Sequence, residues 1–177
     1  CIISIRTLDE VSLPAALRLL GAARTPQAVA ALTPDLIRGL IEPAMFAPRK
    51  AAQIQAIAAQ TVDRFGGELP CDEQVLLSFN GVGVKCAHLA LGVACGQPAV
   101  SVDSHVHRIT NRWGYVATRS PEETTLALEQ ELPREFWIEI NSLLVPFGKH
   151  ICTPSLPHCS TCPVEPMCLQ VGVSTHR

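Results

Sequence analysis

Residues 78–92 read SFNGVGVKCAHLALG. Gly81 and Gly83 separate a helical pattern over 72–79 from a second one over 83–95. Glycine permits a tight reversal with positive φ and leaves the neighbouring N–H groups unobstructed. Several N–H groups converging on the start of a helix make an anion site, and a DNA phosphate is a natural ligand for it. Gly81, Val82 and Gly83 are therefore candidate phosphate contacts, the alternative being a plain turn between two helices. Lys85 then stands in the first turn of an apolar helix, and the chain has only three lysines. The positive helix end and partial burial both oppose a protonated ammonium, which frees an amine to act as a nucleophile. The alternative is an exposed lysine that snorkels or pairs with a phosphate.

Around this hairpin the sequence reads as all-α. Thr25-Pro26, Thr33-Pro34 and Ser120-Pro121 each place a capping hydroxyl before a proline suited to the first helical position. Ser120 is followed three residues later by Glu123, a capping box. From Arg49 to Phe65, Ala51, Ile54, Ala58, Val62 and Phe65 form one apolar stripe that stops at Gly66-Gly67. Further helices are expected over 10–20, 104–113 and 135–148, with Pro146 bending or ending the last. Only the stretch PAVSV resembles a strand. Gly96-Gln97-Pro98 predicts a boundary between two lobes, 1–98 and 99–177.

The 177 residues allow one large domain or two small ones, and 47% are apolar with few aromatics. No run is long enough to predict a membrane span, and the opening CIISI has no secretory leader. Cys1 lies inside an apolar run, so chain upstream of it is expected. The net charge of −2 gives no bulk attraction to nucleic acid. The distribution is uneven: Lys85, Arg108, Arg112 and Arg119 outnumber Asp103 in the middle, and a glutamate-rich helix pair follows.

The eight cysteines fall into two sets. Cys1, Cys71, Cys86 and Cys95 are scattered among apolar neighbours and are expected to be free, packed thiols. Cys152, Cys159, Cys162 and Cys168 fall within 17 residues in the spacing Cys-x6-Cys-x2-Cys-x5-Cys. Four thiolates brought together need a positive centre, either Zn²⁺ or an iron–sulfur cluster. A single proline-stiffened loop, rather than two separated Cys-x2-Cys knuckles, leans toward 4Fe–4S.

Residues 102–108 read VDSHVHR. Asp103 precedes a helical run and is suited to be its N-cap, where its carboxylate stays ionised. Such a carboxylate can stabilise positive charge developing on a sugar carbon. His105 and His107 have no partner at metal-ligand spacing and are expected to pack or hydrogen-bond.

Together the hairpin, VDSHVHRITNRWG, FWIEINSLLVPFGKHIC and the four-cysteine loop resemble, in order and spacing, the endonuclease III family of helix-hairpin-helix DNA glycosylases. The resemblance covers essentially the whole chain. It implies a six-helix lobe and a cluster lobe with DNA between them, the cluster lobe's N-terminal helix lying upstream of residue 1. It implies catalytic roles for Lys85 and Asp103 and a 4Fe–4S cluster on Cys152, Cys159, Cys162 and Cys168. The implied reaction flips a damaged pyrimidine nucleotide out of double-stranded DNA; Lys85 attacks C1′, and β-elimination from the Schiff base cuts 3′ to the site. The implied protein is monomeric and intracellular.

The sequence also departs from the family pattern. Asn80 and Val84 replace the hairpin's usual proline and arginine, which removes a cation from the phosphate grip. Arg6 stands where the family's gap-filling glutamine is expected, Met45 replaces a glycine, and Phe46 is placed to wedge between bases. Ser104, His105 and Arg108 are further candidate DNA contacts. Two other functions fit parts of the sequence: a DNA-binding or damage-sensing module with weak turnover, and a zinc-stabilised interaction domain.

Overall fold

The predicted caps form and the helices follow from them. The computed structural model describes residues 1–177, with nine α-helices: α1 Asp9–Ala22, α2 Pro26–Ala30, α3 Pro34–Ile41, α4 Ala47–Phe65, α5 Glu73–Ser78, α6 Val84–Cys95, α7 Ser104–Trp113, α8 Pro121–Glu131 and α9 Glu139–His150. Thr25, Thr33, Asp72, Asp103 and Ser120 each accept a first-turn N–H with the side chain. Gly66 and Gly114, both left-handed, close α4 and α7. The stretch PAVSV forms no strand; its carbonyls at Val100 and Ser101 bond instead to the side chains of His88 and Asn141. Pro146 does not end α9: the helix runs through it to His150, so proline costs a backbone bond there without breaking the element. No helix is long and apolar enough to cross a membrane.

The chain divides into two compact units, Cys1–Ala87 and His88–Arg177, and passes from one to the other inside α6. In the first unit α4 packs on α2 and α3, and α1 packs on α3. Ile3, Ala15, Leu19, Ile37, Ile41, Ala47 and Ala51 form the core. In the second unit α7 packs on α8 and α9 around Val100, Val106, Ile109, Leu128, Ile140 and Leu144. Gly148 lets α9 approach α7 closely, because a Cβ there would run into the His105 ring and lie 2.9 Å from Arg108 Nη2.

The scattered cysteines are not free thiols. Cys1 and Cys86 form a disulfide with their Cα atoms 5.9 Å apart, and Cys71 and Cys95 are disulfide-bonded as well. Residues 85 positions apart in sequence meet only through the tertiary fold, so local composition carried no sign of the bond.

Lys50 is the other feature that composition hid. It lies on the core stripe of α4, three residues after Ala47 and four before Ile54, and is only 3% exposed. Its ammonium donates to Ile3 O at 2.7 Å, Ile5 O at 2.6 Å and Thr7 Oγ1 at 2.9 Å. Burial pushes its pKa below the usual lysine value. Three bonds to the ammonium offset that burial, since hydrogen bonds to charged groups are the stronger kind. Thr7 Oγ1 also accepts from Met45 N at 3.1 Å, so one network ties residues 3–7 to the start of α4. Replacing Lys50 with Met keeps the stem and strands two carbonyls. The expected loss is about 2–3 kcal/mol of unfolding free energy, read from urea denaturation.

Candidate nucleic-acid interface and thiol loop

The hairpin between α5 and α6 is built as its glycines require. Gly81 has φ 85°, and Val82 N bonds back to Phe79 O at 3.1 Å. A Cβ at Gly81 would run into the Gln53 amide, so both the backbone angle and the close approach of α4 call for glycine. Gly83 directly precedes α6, its carbonyl accepting from Ala87 N at 3.0 Å. The first-turn N–H groups of an α-helix lack a carbonyl four residues back, which is the chemistry an anion site at the start of α6 would use. Lys85 is the second residue of this helix and is half-buried. Val84 beside it is 40% exposed, an apolar side chain where a cation would otherwise strengthen the grip.

Arg6 and Phe46 border the same part of the first unit. Both have left-handed backbone, φ 51° and 59°, which is strained for side chains of this size. The Lys50 and Thr7 bonds hold the two segments in these conformations. Phe46 precedes α4 and is 54% exposed, as a wedge requires. Arg6, Phe46, Arg49, Gln53 and Gly81 line a cavity of about 410 Å³ that contains two guanidinium groups and no carboxylate. Its chemistry suits a phosphate or the acceptor edge of a base. The sequence singled out Arg6 and Phe46 but not Arg49 or Gln53, whose place on the cavity depends on how α4 meets the hairpin.

In the second unit Asp103 caps α7, Oδ1 accepting from His105 N at 2.8 Å and Val106 N at 3.0 Å. Both cap bonds fall on one oxygen, so Oδ2 is not needed for the cap. Ser104 is exposed at the first position of the helix. Arg108, a candidate DNA contact, is half-buried beside the end of α9. Its guanidinium donates to Cys152 O at 3.0 and 3.1 Å, to Gly148 O at 2.9 Å and to His105 Nδ1 at 3.1 Å. Carbonyls left at the end of α9 recruit it, as cations are drawn to a helix C-terminus. His107 Nδ1 lies 2.7 Å from Thr124 Oγ1, a structural contact as expected.

The four remaining cysteines are thiols, all half-buried, on the segment after α9. Cys159 and Cys162 bracket a 3-10 turn, and Cys168 ends another. The Cys159 thiol is pushed up by burial and then by the negative charge of Cys152, Cys162 and Cys168, so the four sulfurs lie within electrostatic reach of one another. Arg112 donates to Cys152 Sγ at 3.4 Å, Thr153 O at 2.7 Å and Pro154 O at 2.8 Å, and Gln170 N lies 3.4 Å from Cys168 Sγ. No three His, Cys, Asp or Glu side chains are gathered to hold a metal ion as they stand. Four thiols on one loop, with Arg112 donating to Cys152 Sγ and Gln170 N to Cys168 Sγ, are of the donor type that an iron–sulfur cluster takes. Arg112 was legible only as part of a basic stretch; its partners lie about 40 residues further on.

Residues 1–134 match the family model described as HhH-GPD superfamily base excision DNA repair protein. The chain is 41% identical to Endonuclease III of Thermotoga maritima over 94% of its length and 78% of that protein. It is 41% identical to Endonuclease III-like protein 1 of Bos taurus, of which it spans 55%, and 42% identical to Endonuclease III homolog 1, chloroplastic, of Arabidopsis thaliana, of which it spans 46%. Among solved structures, a non-covalent Endonuclease III–DNA complex superposes with a TM-score of 0.88 at 29% identity, covering 96% of this chain and 79% of that one. A trapped Endonuclease III–DNA covalent intermediate gives 0.87 at 30%, covering 96% and 80%.

Burial holds the His105 imidazole below its usual range; Arg108 and Lys149 act in the same direction, against Asp103 and a backbone bond with Gly148. Arg108 Nη2 donates to Nδ1, which places the proton of the neutral ring on Nε2. Nitrogen NMR should find His105 neutral at about pH 6.5, where an unperturbed histidine is half protonated. The unfolded chain takes up that proton first. The His105 contribution to stability is therefore complete above about pH 6.5 and declines as pH falls toward the depressed folded-state value.

Proposed function

Because the chain belongs to the HhH-GPD superfamily of base excision DNA repair proteins and, within it, to the endonuclease III family, we propose that it excises oxidised pyrimidines from double-stranded DNA and cuts the strand 3′ to the resulting abasic site. The observation that carries this reading is Lys85, half-buried in the first turn of α6, directly beyond a glycine hairpin whose N–H groups suit a phosphate.

The residues divide the work by their chemistry. The phosphate held at Gly81–Gly83 and the wedge at Phe46 position a nucleotide turned out of the stack, at a cost of about a few kcal/mol. The Lys85 amine attacks C1′, the C1′–N bond breaks, and the base leaves with the bonding electrons. Loss of a proton from nitrogen and opening of the sugar ring leave a Schiff base. Removal of a C2′ proton then expels the 3′ phosphate by β-elimination, and water releases Lys85. The Asp103 carboxylate, held by its cap bonds, stabilises positive charge on the sugar. Arg6 and Arg49 supply cations for the DNA backbone or the base left without a partner. The thiols of Cys152, Cys159, Cys162 and Cys168 would hold a 4Fe–4S cluster, which when bound fastens the loop after α9. Arg112 offsets thiolate charge there. The protein acts as a monomer inside the cell. Residues up to about 98 serve as the six-helix lobe, with the rest as the cluster lobe.

A second reading, DNA binding with weak turnover, is favoured by Val84 alone. Borohydride trapping on abasic-site DNA separates the two. The chain should form a covalent adduct, and Lys85→Ala should lower its yield at least about 10³-fold. Asp103→Asn retains a capping side chain but loses the charge. It should unfold at nearly the same urea concentration while base release falls about 10²-fold. Tight binding with neither adduct nor base release would reject the enzyme in favour of the binding module.

A further inference from the structure

Cys86 directly follows Lys85, is 7% exposed, and is bonded to Cys1. Cys71 stands just before the α5 cap and Cys95 ends α6, and both are disulfide-bonded too. Every cysteine flanking the hairpin is oxidised, whereas all four on the loop after α9 are thiols.

Cys1 opens a run of overlapping turns. Ser4 N bonds to Cys1 O at 3.1 Å, Ile5 N to Ile2 O at 3.3 Å and Thr7 N to Ser4 O at 3.0 Å. This run carries Arg6 into the cavity it shares with Gly81. It has two anchors: the Lys50 ammonium at Ile3, Ile5 and Thr7, and the disulfide from Cys1 to the helix that bears Lys85. The first anchor is a set of hydrogen bonds, which a change of redox state does not touch. The second is covalent and reducible, and it joins the Arg6 segment to the turn that carries the amine.

We propose that Cys1–Cys86 is a reversible thiol–disulfide switch on DNA binding by this site. When oxidised, it ties the Arg6 segment covalently to the first turn of α6; when reduced, that tie is lost. The oxidant is a small-molecule disulfide such as oxidised glutathione. The exposed Cys1 thiolate attacks it, forming a mixed disulfide and releasing one glutathione thiolate. The Cys86 sulfur then displaces the second, and the two thiol protons end on the two glutathione molecules. The Lys50 bonds survive reduction, so the response is graded.

This inference rests on the proposed DNA function for its affinity readout, and the test separates the two. The full chain with its cluster loaded is equilibrated anaerobically in oxidising or reducing glutathione buffer. Disulfides are counted by alkylation and mass spectrometry, and cluster absorbance near ~400 nm confirms that the cluster is unchanged. Affinity is read on a duplex containing a stable abasic-site analogue, and amide exchange is followed over residues 2–7. The oxidised form should bind about tenfold more tightly, the scale expected for ordering one or two residues. Exchange over 2–7 should quicken on reduction, and Cys86→Ser should match the reduced protein in both buffers. Equal affinities in the two forms, or a response that persists in Cys86→Ser, would overturn the switch. If neither form binds or traps DNA, the proposed function fails, and unchanged exchange over 2–7 would then overturn the switch by itself.

Discussion

An ammonium closed into a protein has to be given partners, and Lys50 takes them from the first seven residues of the chain. The arrangement of residues 3–7 and of the start of α4 follows from that demand. Two carbonyls and the Thr7 hydroxyl turn inward, Thr7 accepts the Met45 amide, and the left-handed backbone of Arg6 and Phe46 is held from both sides. Strain in two exposed residues is tolerable because a buried charge over-determines the geometry around it. The cavity with its two guanidinium groups is the product, and the hairpin reaches it through Gly81, where no Cβ stands in the way of Gln53.

The second unit solves a related problem with guanidinium groups. α7 begins at the Asp103 cap and carries Arg108 and Arg112 at successive turns, each donating to backbone carbonyls in the last turn of α9 or just beyond it. Arg108 secures the exit from α9 and Arg112 secures the strand of chain that starts the thiol loop. A helix that starts at the Asp103 cap is thus fastened to the thiol loop by its basic face. Gly148 admits this packing, and Gly114 ends the helix where Leu169 closes over it.

Cysteine chemistry in the chain follows location. Thiols persist where four sulfurs share a loop with a cation and N–H donors, and disulfides occur around the hairpin, where pairs meet singly. The same residue type therefore serves as a candidate ligand set in one part of the chain and a covalent tether in another.

The hairpin, the caps and the cysteine loop were readable because each is local: a glycine turn, a hydroxyl before proline and a fixed ligand spacing all act within a few residues. That locality placed Lys85 in a first helical turn, Asp103 at an N-cap and four thiols on one loop. It could not show that Cys1 meets Cys86, that Lys50 on an apolar stripe is buried with backbone partners, or which carbonyls Arg108 bonds. Each of those depends on segments tens of residues apart arriving together, with an energy decided by burial and by which carbonyls are left without partners. The sequence alone determined which chemistry the chain carries. The tertiary structure decided which charges are held inside, which face the cavity, and which sulfurs are bonded, because desolvation and long-range contact exist only once the chain has packed.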